Sequence, residues 1–416
     1  VAVGANALLS NTTGQNNTSV GYSALRCNTT GGENTALGTY ALRSNTTGGN
    51  NTAVGRSALA CNIIGQSNTA IGTTSLLANT SGDNNNAFGE RALCSNTTGL
   101  NNNAIGVAAL LSNTTGGSNI GIGTSTLRCN TAGSNNVAIG TQALYSNTAS
   151  NNTAVGFCAL KSNTTGGYNT SLGKSSLKSN TTGAYNTGLG SNSLFYNATG
   201  ANNTGIGYGA LVLNTVGSSN TAVGFQALRQ NTASNNTAVG FCALRSNTTG
   251  ASNTAVGFGA LKANTTGVNN TAIGQSSMVS NTVGYNNVAV GLSSLSDNIS
   301  GLDNTALGVA SSQSNTTGTN NTALGRATLV FNTGGCNNTA VGSAALFCNT
   351  ASNNTAVGFL SLRNNTTGGQ NTAVGFCALT NNTTGIYNDA LGLCSLRSNT
   401  TGRNNLAIGS FALRLN

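Results

Sequence analysis

Residues 236–252 read NTAVGFCALRSNTTGAS, and residues 253–269 follow with NTAVGFGALKANTTGVN. With Asn236 as coil position 1, the chain aligns on itself from Val3 to Ile408 in 25 registers, joined by 21 steps of 17 residues and three of 16. Self-similarity at a fixed period outranks local propensity as a guide to fold. Position 5 is Gly in every register, from Gly4 to Gly409, and position 12 is Asn in every one, from Asn11 to Asn416. Position 4 is always apolar, as in Val239, and position 9 is Leu, as in Leu244, except at Met278 and Ser312. Position 1 is Asn wherever it occurs, and position 15 of every full-length coil is Gly, as in Gly250. Gly and Asn tolerate left-handed backbone and Asn bonds its own backbone, so these sites mark turns.

A 17-residue unit is too short for two packed helices, and its segments are rich in Val, Ile, Thr and Ala between fixed Asn and Gly. It predicts an all-β fold, a parallel β-solenoid of the β-roll or β-helix kind, with residues 1–416 as one continuous array of about 25 coils. One strand is expected on positions 2–4 and another on 6–11, with the SNTTG turn closing each coil. Coils stacked about 4.8 Å apart would make a rod of roughly 120 Å and set identical side chains in rows. Asn236 and Asn247 are then expected to belong to amide ladders, Gly240 and Gly250 to hold turns, and Val239 and Leu244 to form core stripes.

Alternation along the second strand would send positions 7, 9 and 11 inward and 6, 8 and 10 outward. Position 4 shares parity with the outward set. Either the Gly after it turns a corner, or the Val/Ile stripe packs on a partner chain, which the Ala, Gly or Ser at position 3 would allow to approach closely. The three 16-residue coils share NTASNNTAVGF, at Asn147, Asn231 and Asn349, with Ser in place of Gly in a turn one residue shorter. A tighter turn without loss of stacking is expected there. Ser312 replaces a core Leu and marks an expected weak point.

Composition excludes much chemistry. There is no His, Pro or Trp, only 5% of residues are charged, and 57 are Gly. Histidine general acid/base catalysis and His-containing triads are out of reach. The six acids, Glu33, Asp83, Glu90, Asp297, Asp303 and Asp389, form no ladder, so neither an enzyme nor a metal or cofactor site is expected. No run of 18 apolar residues suggests a membrane span. The net charge of +10 is spread along the chain rather than gathered into a patch, which argues against nucleic acid as a partner. The chain starts at Val1 inside a repeat and stops at Asn416 mid-coil, which reads as an internal stretch of a longer fibre or a unit that stacks end to end.

Three features are candidate sites. Tyr208, Phe225, Phe241 and Phe258 hold position 6 in four successive coils, and Arg229, Arg245 and Lys262 hold position 10 in three. One face would carry an aromatic row beside a cationic one, suited to an acidic glycan or to a subunit interface with solvated cations. Cysteines recur at position 7 (Cys158, Cys242, Cys377, Cys394) and position 11 (Cys27, Cys61, Cys129, Cys348), where they read as small core residues. Only Cys377 and Cys394 occupy one position in neighbouring coils, making them the candidate disulfide. Sequons abound at position 12, as in the NTT at Asn11, Asn28, Asn45 and Asn96, but Asn persists at Asn62, Asn130 and Asn214, where no sequon exists. The turn explains that Asn without glycosylation.

The phrases NTAVG, NTAIG and NNVAIG followed by xxAL resemble the AIG repeats in heads of YadA-like trimeric autotransporter adhesins, and Asn/Gly-rich repeats of phage and giant-virus tail fibres. The resemblance covers the whole chain, although the adhesin unit is shorter and lacks the extended SNTTG turn. It implies a parallel β-roll assembled as a homotrimer. The expected function is a non-enzymatic extracellular, cell-surface or virion fibre shaft, partnered by itself as a trimer or end-to-end filament, presenting a surface for attachment, with cell-surface glycans as candidate ligands. An ice-binding solenoid and an acidic-glycan-binding spike are the rivals. Against ice binding, the paired Thr residues of NTT, such as Thr248 and Thr249, would point to opposite sides in extended backbone and give no Thr-x-Thr face.

Overall fold

The computed structural model describes residues 1–415; the last position-12 asparagine, Asn416, lies outside the described residues. The chain divides into two units, Val1–Tyr208 and Gly209–Asn416. Thirteen strands run from β1 (Ala2–Val3) to β13 (Thr204–Ile206) in the first, and twelve from β14 (Thr221–Val223) to β25 (Leu406–Ile408) in the second. Each unit is an all-β parallel solenoid of about 17 residues per turn, with one short strand per coil on positions 2–4. Pairing is in register, so Thr237, Ala238 and Val239 lie beside Thr254, Ala255 and Val256. The register survives the short coils, where Thr153 pairs with Val137 and Thr355 with Thr339.

The strand expected on positions 6–11 is absent, and a chain of tight turns stands in its place. Cys242 and Leu244, at positions 7 and 9, have φ of 55° and 50°. The Ala243 N–H donates to the Gly240 carbonyl at 3.4 Å and the Asn247 N–H to the Leu244 carbonyl at 3.2 Å. The first of these turns has Cys242 as the left-handed third residue that a type II turn requires. Neighbouring coils satisfy the remaining backbone groups. Cys242 N–H bonds the Phe225 carbonyl of the preceding coil, whereas Leu244 and Ser246 N–H bond the Ala260 and Lys262 carbonyls of the following one. Holding Leu left-handed costs about 1–2 kcal/mol, and fully burying its side chain returns about 2 kcal/mol or more, which explains why position 9 is large and apolar.

This geometry corrects three expectations about the core. Two-residue alternation ends at the first left-handed residue, so position 8, expected outside, is inside: Ala243 is as fully buried as Leu244. Val239 is not core. It points outward from the strand and stays 36% exposed, while Ala238 beneath it is buried. The position-11 cysteines are not core either, since Cys27 is exposed and Cys61, Cys129 and Cys348 are half-buried. The interior is therefore built from the Asn, Ala, Ala and Leu of positions 1, 3, 8 and 9 and the Asn of position 12.

Both asparagine rows form the ladders expected of them. Asn247 Nδ2 donates to Asn231 Oδ1 at 2.7 Å and to the Gly250 carbonyl at 2.8 Å, and its own Oδ1 accepts from Asn264 Nδ2 at 2.7 Å. In the position-1 row, the Asn236 N–H donates to Asn220 Oδ1 at 3.0 Å, and Asn236 Nδ2 reaches the same Gly250 carbonyl at 2.9 Å. Gly250 thus ties the two rows together. A Cβ there would lie 2.6 Å from Asn247 Oδ1 and closer still to the Gly267 carbonyl oxygen, so only Gly fits.

The short coils keep their strands but strain the position-12 row. Asn147 Nδ2 and Asn136 Nδ2 both donate to the Ala149 carbonyl, as their counterparts do to a position-15 Gly. Ala149, rather than Ser150, therefore takes the Gly site, and the missing residue is position 14. The Asn231–Asn214 and Asn349–Asn332 links lengthen to 3.4 Å. Asn130 Oδ1, which would accept from Asn147, is buried without a partner. Inserting Thr between Thr148 and Ala149 together with Ala149→Gly is expected to restore the link and add about 1 kcal/mol of local stability, read as slower hydrogen exchange in residues 144–152; unchanged exchange would count against this account. Ser312 is 2% exposed and keeps the left-handed backbone of its row, with φ of 49°. Ser312→Leu is expected to stabilise its coil by about 2 kcal/mol through added apolar burial, seen as a higher midpoint in thermal unfolding.

Candidate interaction surface

The strand leaves two rows facing outward. Position 2 is Thr in β14 (Thr221–Val223), β15 (Thr237–Val239), β16 (Thr254–Val256) and β17 (Thr271–Ile273), with Val or Ile at position 4 of each. The Thr hydroxyls of this row make no hydrogen bond to protein among the described residues. By contrast, the position-13 hydroxyls are engaged: Thr248 Oγ1 donates to the Thr265 carbonyl at 3.0 Å. Val256 is half-buried, Val239 is 36% exposed and Ile273 is 40% exposed. No charged residue enters either row from Thr221 to Val374; the first is Asp389, at position 2. Sequence reasoning did not single out the position-2 threonines. Their recurrence in the register just before the buried Ala was the available signal.

Beyond the glycine corner lies the position-6 row. Phe225 and Phe241 stack at 5.1 Å with an 8° interplanar angle, and Phe241 and Phe258 at 5.2 Å with 5°. All three rings are exposed, as is Tyr208, the last residue of the first unit. Each face of Phe241 is covered by a neighbouring ring, so it offers solvent its edge. This limits stacking of a sugar on the row, which would need a free ring face.

The position-10 cations form a second row. Arg229 and Arg245 are half-buried and Lys262 is exposed, and the buried positions 8 and 9 separate them from position 6 along the chain. Cation–π contacts form instead with aromatics near position 10, as where Arg43 sits 5.5 Å from the centroid of Tyr40 and Lys178 5.1 Å from that of Phe195. No cation–π contact joins Arg245 or Lys262 to Phe241 or Phe258 among the described residues.

The ten cysteines are free thiols, including Cys377 and Cys394, both buried at position 7. Stacking by near-translation explains why this pair is not bridged. The two Cβ vectors run parallel about 4.8 Å apart, whereas a disulfide needs them to converge to roughly 3.8 Å. Burial pushes the Cys94 thiol up, against the opposing effect of the adjacent Arg91. Among the described residues no group of three or more His, Cys, Asp and Glu is placed to hold a metal ion, and no helix is long and apolar enough to cross a membrane. Exposed acids bond locally, as where Asp303 Oδ1 accepts from Asn286 Nδ2 at 3.0 Å. Comparison with protein-family models and with curated proteins gives no match.

Proposed function

We propose that the chain is the shaft of an extracellular, cell-surface or virion fibre, whose copies associate as a homotrimer through the outward rows at positions 2 and 4 and present the remaining surface for attachment. The observation that carries this reading is the continuous, uncharged, in-register Thr/Val face over a buried Ala row. Solvent-exposed apolar rows of this regularity mark a surface that is covered in use. A three-residue strand about 10 Å long and 4.8 Å wide offers roughly 50 Å² per coil. The twelve or thirteen coils of one unit then offer roughly 600 Å² per partner, approaching the ~800 Å² of a stable interface, so a long array suits the purpose where a short one would not. End-to-end stacking is the companion route to a filament. Attachment to acidic glycans would fall to the basic row of Arg229, Arg245 and Lys262, because the stacked phenyl rings offer edges.

Light scattering on the folded chain tests the reading. A mass near three times 41.1 kDa is expected; a monomer at all concentrations would remove the trimer. One observation favours ice binding in that case. The sequence objection rested on the NTT threonines, but the free hydroxyls belong to the position-2 row, and a Thr-x-Val array of hydroxyl and methyl groups repeats at every coil. Thermal hysteresis from a monomer would establish that alternative, and its absence would exclude it.

A further inference from the structure

The chain carries two rows of N-x-S/T sequons, and the fold treats them oppositely. Sixteen lie at position 12, from Asn11 to Asn399, and fifteen of these asparagines are buried. Nine lie at position 17, where the Asn is left-handed at a turn; Asn50, Asn235 and Asn353 are among eight that are exposed. A sequon acceptor must offer its side-chain amide to a transferase. At position 12 both amide hydrogens are committed, as where Asn45 Nδ2 donates to Asn28 Oδ1 at 2.8 Å and to the Gly48 carbonyl at 2.9 Å.

N-glycan transfer joins Asn Nδ2 to the anomeric carbon of a diphosphate-activated, lipid-linked oligosaccharide. The bond from that carbon to the diphosphate oxygen breaks, its electron pair leaves with the phosphate, and one amide proton passes to a base of the transferase. The product amide keeps one hydrogen where the ladder needs two. It also carries a sugar at a site with no solvent exposure, packed against the position-15 Gly. Glycosylation at the fifteen buried position-12 asparagines and folding are mutually exclusive.

We propose that this chain acquires its fold out of reach of N-glycan transfer to the unfolded chain, and that in the folded array glycan is accepted by the position-17 row and by the sequons outside the buried rows, Asn11, Asn364 and Asn381. The inference rests on the ladders and holds whether or not the chain is a fibre. It narrows the routes by which an extracellular array could be made: the chain folds before it meets such a transferase, or never meets one.

The chain itself supplies the controlling variant. Ile64, Val216 and Val283 occupy position 14, abolish the sequon and leave the ladder whole, since Asn62 Nδ2 still donates to Asn45 Oδ1 at 2.7 Å and to the Gly65 carbonyl at 2.9 Å. Replacing the position-14 Thr and Ser residues of all sixteen sequons by Val, together with Ser19→Ala and Ser171→Ala at two further buried sequons and Asn364→Ser and Asn381→Ser at two position-11 sequons, where other coils carry Ser, therefore removes acceptors without touching the rows. The 416-residue chain and this variant would each be made in the cytosol and, behind a signal peptide, in the endoplasmic reticulum of a glycosylating cell. Both cytosolic products are expected to be protease-resistant. The secreted native chain is expected to carry position-12 glycans and to yield at least tenfold less resistant protein, with the secreted variant within twofold of its cytosolic form and glycosylated at position 17. A resistant secreted native chain, with position 12 either occupied or empty, would overturn the proposal, and so would a variant that folds in the cytosol and is not rescued on secretion.

Discussion

Gly240→Ala is expected to loosen its coil by about 4 kcal/mol, whereas Gly259→Ala, nineteen residues on, is expected to change stability by no more than about 1 kcal/mol. Gly240 has φ of 138°, which L side chains rarely adopt, and holding Ala there costs about 1–3 kcal/mol. A Cβ would also sit 2.7 Å from the Gly257 carbonyl carbon, so the neighbouring coil must move, and such overpacking adds about 1–3 kcal/mol. Gly259 occupies position 7, has φ of 64° and would meet nothing within 4 Å on gaining a Cβ. Its counterpart Cys242 already bears a side chain at a similar φ, 55°. A stack of repeats opens locally rather than in one step, so hydrogen exchange across residues 237–257 is the measurement. At tenfold per 1.4 kcal/mol, protection should fall several-hundredfold for Gly240→Ala and less than about tenfold for Gly259→Ala. Equal losses would show that the position-5 glycines serve some purpose other than this close approach.

Much of the fold was legible because its constraints are absolute. A backbone site with no room for Cβ and rows of amides bonded to one another and to turn carbonyls admit a single residue type, so Gly at position 5 and Asn at 1 and 12 recur without exception, and Gly at position 15 recurs in every full-length coil. The three-residue strand followed from the same reading. The turns of positions 6–11 did not, because Leu is a poor left-handed residue and local propensity speaks against the conformation that Leu244 adopts. Burial overrides propensity there. A clue was nonetheless present: position 8 is restricted to Ala, Ser and Thr as tightly as position 3 is to Ala, Ser and Gly, and such restriction to small residues belongs to an interior. The candidate surface was harder to see. Parity marked position 4 as outward, but the free hydroxyls of position 2 could be told from the bonded ones of position 13 only once Thr248 was seen to bond Thr265.

The position-12 row predicts its own weakest member. Asn264→Leu keeps the side-chain volume close but leaves Asn247 Oδ1 and one hydrogen of Asn281 Nδ2 without partners, since each bonds Asn264, at 2.7 Å and 2.8 Å. Two stranded buried groups at about 1–3 kcal/mol each give a loss of roughly 4 kcal/mol. The Gly267 carbonyl keeps the bond from Asn253 Nδ2 at 2.8 Å and adds no penalty. Asn130→Leu strands less. Asn130 Oδ1 has no partner to lose, so the substitution removes one orphaned oxygen and creates another at Asn113 Oδ1, which accepts from Asn130 at 2.9 Å. Its expected cost is about 2 kcal/mol or less. Amide exchange in the two coils should separate the variants by at least tenfold in protection, with Asn264→Leu the more damaging. If they matched, the intact and broken stretches of the row would be contributing equally, and the stability of the array would have to come from its strands and leucines rather than from the ladder.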